Sequence, residues 1–380
     1  MKSLLALALA GVGMTPCLWD SDTLDTELRG LPDAFDLVVG KWHRHSDAYY
    51  QVRVDMLLAK TSLTLGDYDD LAVAYEHLGQ RDKAIEVMAQ KAESLLDKPD
   101  TEHQYRYHAN LGTFYAHSGK LEEALVELRA AVEIHPDAHF GREHFQIELI
   151  EYVAAAKKDP NIWKRRSFLR HAGYAMTPVI VLDEKFLEDF GSPEERARDW
   201  YGERPLDWQQ AYKAIAGMLR FGGREGAELY RSLGELYLQK QHLNLAWWAL
   251  GRAIERGHPA AAELKALRQG IVRHWDEARS HENTGHTNPT MAEYEAQRSD
   301  ADRWSNAFQV AEVDAIDRGK DVSSDAVLAS LLDIANRAVP KRAVHSGSGL
   351  NLRMATLVSC VALFVLLFVL RARAHTQSRA

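Results

Sequence analysis

Residues 105–136 read YRYHANLGTFYAHSGKLEEALVELRAAVEIHP, and this stretch predicts two helices joined by a tight turn. Gly112 and Ala124 place minimal side chains where the two helices must approach closely. Gly119 suits the turn because glycine readily adopts positive φ, and Pro136 stops the second helix. The remaining apolar residues recur at helical spacing. The stretch therefore predicts one helical hairpin.

The same order of residues occurs twice more. Around Gly234 the chain reads ELYRSLGELYLQKQHLNLAWWALGRAIERGHP, with Gln241 in place of the turn glycine. An earlier copy, DYDDLAVAYEHLGQRDKAIEVMAQKAESL, carries Ala72 and Gly79 at the matching positions. An unrelated helical bundle could present small residues at one or two crossings, but three copies in one order favour a repeat. We therefore predict an all-α solenoid of stacked hairpins.

These copies resemble the tetratricopeptide repeat. The resemblance implies a helix-turn-helix solenoid that binds a protein or peptide partner and is not an enzyme. Over residues 17 to about 255, the stretches CLWDSDTL, GKWHRHS, PDAHFGREHF and GMLRFGG also resemble a group of exported bacterial proteins that carry this repeat.

The resemblance also implies where a partner binds, because the first helix of each pair lines a concave groove. We expect that groove to expose Asp69, Val73, Glu76, His77, Arg106, Ala109, Thr113, His117, Glu228, Arg231, Glu235 and Gln239. Their mixed charges suit an extended peptide or a helix with mixed charges of its own. The family's best-known mode grips a terminal carboxylate with lysines and asparagines. Asn110 fits it, but Asp69 and Val73 stand where Lys and Asn would be needed, so we do not expect that mode here.

Composition excludes several classes of protein. The chain has 380 residues, of which 46% are hydrophobic and 26% charged, which is typical of a folded protein. Its net charge of -8 argues against a general nucleic-acid binder. The two cysteines, Cys17 and Cys360, lie near opposite ends, which excludes a disulfide framework and a cysteine-based zinc site.

Candidates for chemistry are weak. Among 17 histidines, His139 and His144 are five apart, as are His281 and His286, whereas ligands on one helical face need three or four. We therefore predict no metal, no cofactor and no catalytic residue. The alternative is an exported enzyme or metal-binding protein whose site lies in residues 159–205 or around His281.

The GKWHRHS stretch, residues 40–46, presents basic side chains beside Trp42. One interpretation is a site for an anion or an acidic partner on an aromatic platform. The other is a basic loop that packs Trp42 into the solenoid. The second interpretation is the commoner outcome for such a stretch.

Residues 1–17 predict a signal peptide. One lysine precedes an apolar run over residues 4–12, which is too short to span a bilayer. Cleavage could follow near Gly13 or near Cys17, and the sequence does not choose between them. Pro16 stands where a lipoprotein would need a small residue, so lipidation of Cys17 is the lesser alternative.

Residues 350–371 predict a single transmembrane helix. Residues 354–370 carry no charge, Arg353 and Arg371 flank them, and residues 346–349 read as a flexible SGSG linker. With a true signal peptide, the bulk of the chain is periplasmic or otherwise extracytoplasmic, which is what we expect. Without one, the protein is a tail-anchored cytoplasmic adaptor.

Composition and repeat spacing also divide the chain into parts. An N-terminal helical lobe covers residues 18–158, with repeats at 67–98 and 105–138. An irregular connector covers 159–205, and a second lobe covers 206–281 with a repeat at 227–260. Residues 282–349 predict a weakly helical segment, anchored by Trp304, Phe308 and Val310, followed by the linker. A short basic tail, residues 372–380, follows the transmembrane helix.

Overall fold

The structure, a computed structural model, describes residues 18–21, 31–136, 138–176, 202–222, 226–281 and 288–340. The predicted signal cleavage region, transmembrane helix and basic tail lie outside these residues, as does most of the predicted connector. The compact unit that contains the described helices ends at Val339. Within the described ranges the chain forms fifteen α-helices, one 3₁₀ helix and no β-strand, which confirms the predicted all-α class.

The helices follow one another closely along the chain. The first eight are α1 (Ala34–Val39), α2 (Asp47–Leu58), α3 (Leu65–His77), α4 (Arg81–Asp97), α5 (Thr101–His117), α6 (Leu121–Ile134), α7 (Arg142–Lys158) and α8 (Ile162–Arg165). The others are α9 (Phe168–His171), α10 (Trp208–Phe221), α11 (Ala227–Gln239), α12 (Leu243–Glu255), α13 (Ala261–His281), α14 (Met291–Asp317) and α15 (Asp325–Arg337). The 3₁₀ helix is Ala138–Gly141.

Short polar side chains begin many of these helices. The residues whose side chains accept hydrogen bonds from the first turn are Asp33, Ser46, Thr64, Asp100, Asp207 and Thr290. Such caps satisfy backbone N–H groups that have no partner within the helix. Thr64 and Thr290 form full capping boxes with Asp67 and Glu293, which fixes the starts of α3 and α14.

Three of the helix pairs are the hairpins that the repeated sequence predicts: α3–α4, α5–α6 and α11–α12. In two of them a glycine lies against a leucine of the second helix at the same sequence separation. A Cβ on Gly112 would stand 2.7 Å from Leu128 Cγ, and one on Gly234 would stand 2.9 Å from Leu250 Cγ. No side chain fits in either place, so glycine sets the distance between the paired helices.

The turns of the three hairpins are alike. Gly79, Gly119 and Gln241 have φ of 74°, 78° and 58°, so each ends its helix in the left-handed conformation. After Gly119 the Lys120 N–H donates to Tyr115 O at 3.0 Å, and His242 N–H donates to Tyr237 O at 2.9 Å in the same way. Among the described residues, Gln241 is the one non-glycine with positive φ. Its predicted role as a substitute for the turn glycine is confirmed.

The core does not follow the predicted division into two lobes. One cluster of buried residues runs from Leu37 in α1 through Leu128 and Leu233 to Ala301 in α14. A second cluster joins α2 and α3 to α14 and α15, through residues such as Tyr49, Leu71, Phe308 and Leu331. Both clusters therefore join helices from the start of the described chain to helices near its end.

The description of residues 282–349 as weakly helical is wrong for its described part. Residues 291–317 form the longest helix, and α15 packs against it. Trp304 and Phe308 are buried as predicted, but Val310 is 64% exposed. On α14, Trp304, Phe308 and Ala311 form an apolar face, and this face is buried.

None of the helices within the described ranges combines the length and the apolar character needed to cross a bilayer. The predicted span at residues 354–370 is not among those ranges.

Candidate functional site

The predicted groove residues lie on the first helix of each repeat, on a side that we call the groove face. Eight of the twelve are buried, and the structure places the other four, His77, Arg106, His117 and Gln239, at intermediate exposure. The buried ones are Asp69, Val73, Glu76, Ala109, Thr113, Glu228, Arg231 and Glu235. The expectation that the groove exposes these eight is wrong, because other parts of the same chain cover it.

Residues 18–21 cover the groove face of α3 and α5. Leu18 and Trp19 are 0% and 1% exposed, although neither belongs to a helix. The side chain of Asn110 holds both backbone groups of Trp19. Trp19 N–H donates to Asn110 Oδ1 at 2.7 Å, and Asn110 Nδ2 donates to Trp19 O at 2.9 Å. One buried amide therefore replaces the pairing that a neighbouring strand would give this residue.

The tryptophan side chain lies between α5 and α7. Its ring centroid is 6.2 Å from that of Tyr105, with a tilt of 56° between the planes. The guanidinium carbon of Arg142 lies 5.6 Å from the Trp19 ring and 5.5 Å from the ring of Phe221. Gly217 leaves room for that guanidinium, because a Cβ there would come within 2.6 Å of Arg142 Nε. The pocket thus combines aromatic and cation–π contacts.

A buried ion pair lies beside this amide. Lys91 Nζ is 2.6 Å from Asp69 Oδ1, and both side chains are buried. Asn110 Nδ2 also donates to Asp69 Oδ1 at 3.2 Å, and this bond to a carboxylate distinguishes the amide nitrogen from the amide oxygen. Burial lowers the pKa of Lys91, and the Asp69 carboxylate opposes that shift.

At its other end the segment reaches the surface. Ser21 N–H donates to Asp70 Oδ1 at 2.8 Å, and the Ser21 hydroxyl donates to Asp70 Oδ2 at 3.0 Å. Arg53 Nη2 donates to the Ser21 hydroxyl at 2.8 Å and pairs with Asp70 at 2.9 Å. The segment is therefore buried at Leu18 and Trp19 and exposed at Ser21.

A different part of the chain covers the groove face of α11. Residues 163–170, from α8 and α9, lie against the three buried charged residues of the third repeat. Glu228 Oε1 accepts from Phe168 N–H at 2.7 Å, and Glu235 Oε2 accepts from the Ser167 hydroxyl at 2.6 Å. Arg231 donates to the carbonyl of Trp163. These side chains bind the backbone and hydroxyl groups of their own chain.

His258 completes the site around Glu228. Its Nε2 lies 2.8 Å from Glu228 Oε2, and its Nδ1 accepts from Ala260 N–H at 2.9 Å. Nδ1 therefore carries no proton, and the neutral ring donates from Nε2. Burial lowers the pKa of His258 below its ordinary value of 6.5.

Three of the four half-buried groove positions, His77, His117 and Arg106, have contacts of their own. His77 stacks on Tyr50 at 4.1 Å between ring centroids. Glu76 Oε1 accepts a hydrogen bond from His117 Nδ1 at 2.8 Å. Arg106 pairs with Glu102 at 2.9 Å, one turn earlier in α5. The contacts of the first two repeats' positions thus come from α2, α7 and residues 18–21, and those of the third repeat's charged positions from residues 163–170.

The basic stretch at residues 40–46 has an acidic partner inside the protein. Trp42 is buried, and the Arg44 guanidinium carbon lies 4.2 Å from its ring. Glu312 of α14 accepts a hydrogen bond from Ser46 N–H through Oε2 at 2.6 Å. Its Oε1 lies 2.6 Å from His45 Nδ1. These contacts agree with the interpretation of a packed basic loop, and they connect α14 to the start of α2.

The part of the chain that the structure describes contains no group of three or more His, Cys, Asp or Glu placed to hold a metal ion. The side chains of His281 and His286 lie outside it. Periodicity could not have revealed the importance of Trp19, Trp163 and Phe168, because these residues lie outside the repeats that they cover. Asn110 is the residue of this site that the family resemblance does single out.

Residues 105–137 match the family model of the tetratricopeptide repeat. This match covers α5 from Tyr105 onward and all of α6, the hairpin that carries both Gly112 and Asn110. No curated protein matches the chain.

Proposed function

Because this chain is a tetratricopeptide-repeat protein, we propose that it is a scaffold that holds a segment of a protein partner against the groove face of α3 and α5. The observation that carries the proposal is the grip of Asn110 on the backbone of Trp19. A side chain that binds main-chain groups suits a surface that binds a peptide. Proteins with this repeat commonly bind protein partners and are generally not enzymes.

We further propose that the scaffold is tethered to a membrane by residues 354–370. The uncharged apolar sequence between Arg353 and Arg371 supports this, since about 17 residues of helix approach the thickness of the hydrocarbon core. The SGSG sequence at residues 346–349 would act as a flexible tether.

An extracytoplasmic position for the solenoid is part of the proposal. The apolar run at residues 4–12 supports it as the core of a signal peptide. The test is protease accessibility in cells whose outer membrane has been permeabilised and whose inner membrane is intact. We expect digestion of the solenoid without lysis of the inner membrane. Digestion only after lysis would show the opposite orientation, that of a tail-anchored cytoplasmic adaptor.

Site-specific photo-crosslinking in native membranes tests the scaffold itself. A photoreactive residue at position 106, on the groove face, should yield a discrete adduct that disappears when Asn110→Ala is added. The control is position 96, since Leu96 is 82% exposed and belongs to α4, outside the groove face. Identical adducts from both positions, or none from position 106, would contradict a groove-based scaffold.

A further inference from the structure

We propose that residues 18–21 are an internal ligand occupying the partner's site, and that the partner presents a segment of the same chemistry. That chemistry is a bulky apolar residue followed by a tryptophan, an acidic residue and a hydroxyl residue. The inference deepens the proposed scaffold function and depends on it. Residues 18–21 must leave the groove face before the partner's segment can bind there.

Hydrogen bonds to the backbone position such a segment without selecting its sequence. Asn110 bonds to both the N–H and the carbonyl of Trp19, so any residue with a normal backbone satisfies it. Asn110 is itself fully buried and held by Asp69. The grip is therefore pre-organised, which lowers the entropy cost of binding.

The side-chain contacts supply the selectivity. Leu18 belongs to the same apolar cluster as Val73 and Phe114, so this position requires an aliphatic residue. The next position requires a large electron-rich ring, because it faces Tyr105 and the guanidinium of Arg142. An alternation of backbone grip and side-chain pockets is how peptide-binding surfaces combine affinity with specificity.

The exposed end gives the segment a route out. The bonds among Ser21, Asp70 and Arg53 lie at the surface, where ion pairs and hydrogen bonds compete with water. Opening these contacts first would free Asp70 to receive the hydroxyl residue of an incoming segment. Exchange would then proceed inward toward Trp19.

An attached ligand competes strongly with a free one. A segment joined by a short linker acts at an effective concentration on the order of millimolar, which lowers the apparent affinity of any free peptide. Weakening the internal segment while leaving the groove intact should therefore tighten the binding of a peptide in trans. This inverse effect separates an exchangeable ligand from a permanent part of the core.

The experiment measures binding of a fluorescent peptide, LWDSDT, to the full chain and its variants by polarisation. We expect Trp19→Ala to bind the peptide at least about 10-fold more tightly than wild type, because its own segment competes less well. Adding Asn110→Ala should abolish that binding. The matched control is Trp304→Ala, another buried tryptophan outside the groove, which should leave peptide affinity unchanged.

Ser21→Ala keeps the test decisive if Trp19→Ala fails to fold. Ser21 is exposed, so its loss spares the core but weakens the outer contacts, and peptide affinity should rise a few-fold. A peptide with alanine in place of tryptophan should bind no variant. If neither variant binds LWDSDT more tightly than wild type does, the inference is overturned. The scaffold proposal is tested independently, because an adduct from position 106 would support it even if the peptide experiment gave this result.

Discussion

Gly112 and Leu128 lie so close that a Cβ on the glycine would stand 2.7 Å from Leu128 Cγ and 3.2 Å from the carbonyl oxygen of Ala124. Gly112→Ala should therefore force α5 and α6 apart and lower the free energy of unfolding by about 1–3 kcal/mol. Chemical denaturation followed by circular dichroism measures the change.

Gly66→Ala is the control for this prediction. Gly66 also lies in a helix, but its nearest neighbour would be 3.9 Å from the new Cβ, which is ordinary contact. Alanine there should be neutral or stabilise by up to about 1 kcal/mol through helix propensity. Equal losses at the two positions would mean that backbone flexibility, and not interhelical distance, accounts for Gly112.

The turn at Gln241 offers a gain in stability. Its φ of 58° costs a residue with a side chain about 1–2 kcal/mol relative to glycine. Gln241→Gly should therefore raise the melting temperature. The reverse change, Gly119→Ala, should lower it, although no atom lies within 4 Å of the Cβ position. A loss of stability in Gln241→Gly would contradict a purely conformational role.

The hairpins could be predicted from the sequence because their determinants are local and periodic. Gly112, Gly119 and their counterparts recur in order, so the pairing of α5 with α6 follows from spacing. What covers the groove could not be predicted. Trp19 and Phe168 each lie in short stretches without periodicity, and their contacts join residues far apart in the chain.

The long helix near the C-terminal end of the described residues could not be predicted for a related reason. Residues 291–317 bury Trp304 and Phe308 on one face of a helix that carries many charged residues. A weak average hydropathy conceals such a face, since a surface helix needs only one apolar face. The acidic partner of the basic stretch, Glu312, lies on this helix, so the contact with His45 could not be predicted either.

The buried pair of Lys91 and Asp69 should be costly to break. Lys91→Met leaves a carboxylate in the interior with its hydrogen bond to Asn110 but without its cation, and should cost about 3 kcal/mol in unfolding free energy. The control is Arg129→Ala, whose partner Glu151 is exposed, and which should cost less than about 1 kcal/mol. Equal small effects would show that water reaches the buried pair.

Stability should fall as the pH drops below about 6.5, in part because of His258. Its pKa is lowered in the folded state by burial, so the unfolded chain binds the proton first. The contribution is complete above the unfolded pKa and is lost as pH falls toward the folded value. His258→Gln should reduce the slope of unfolding free energy against pH by up to about 1.4 kcal/mol per pH unit. Denaturant titrations between pH 7 and pH 5 measure it, and an unchanged slope would argue against a neutral buried ring.

The most direct test of an exchangeable internal ligand is hydrogen exchange at the backbone amide of Trp19, followed by NMR on the full chain with ¹⁵N-labelled tryptophan. That amide donates to Asn110 Oδ1 at 2.7 Å and should be protected in wild type. Excess LWDSDT peptide should remove the protection while the amide of Trp248 in α12 stays protected. Protection of Trp19 that persists at saturating peptide would contradict the account, because residues 18–21 would then be a fixed part of the core.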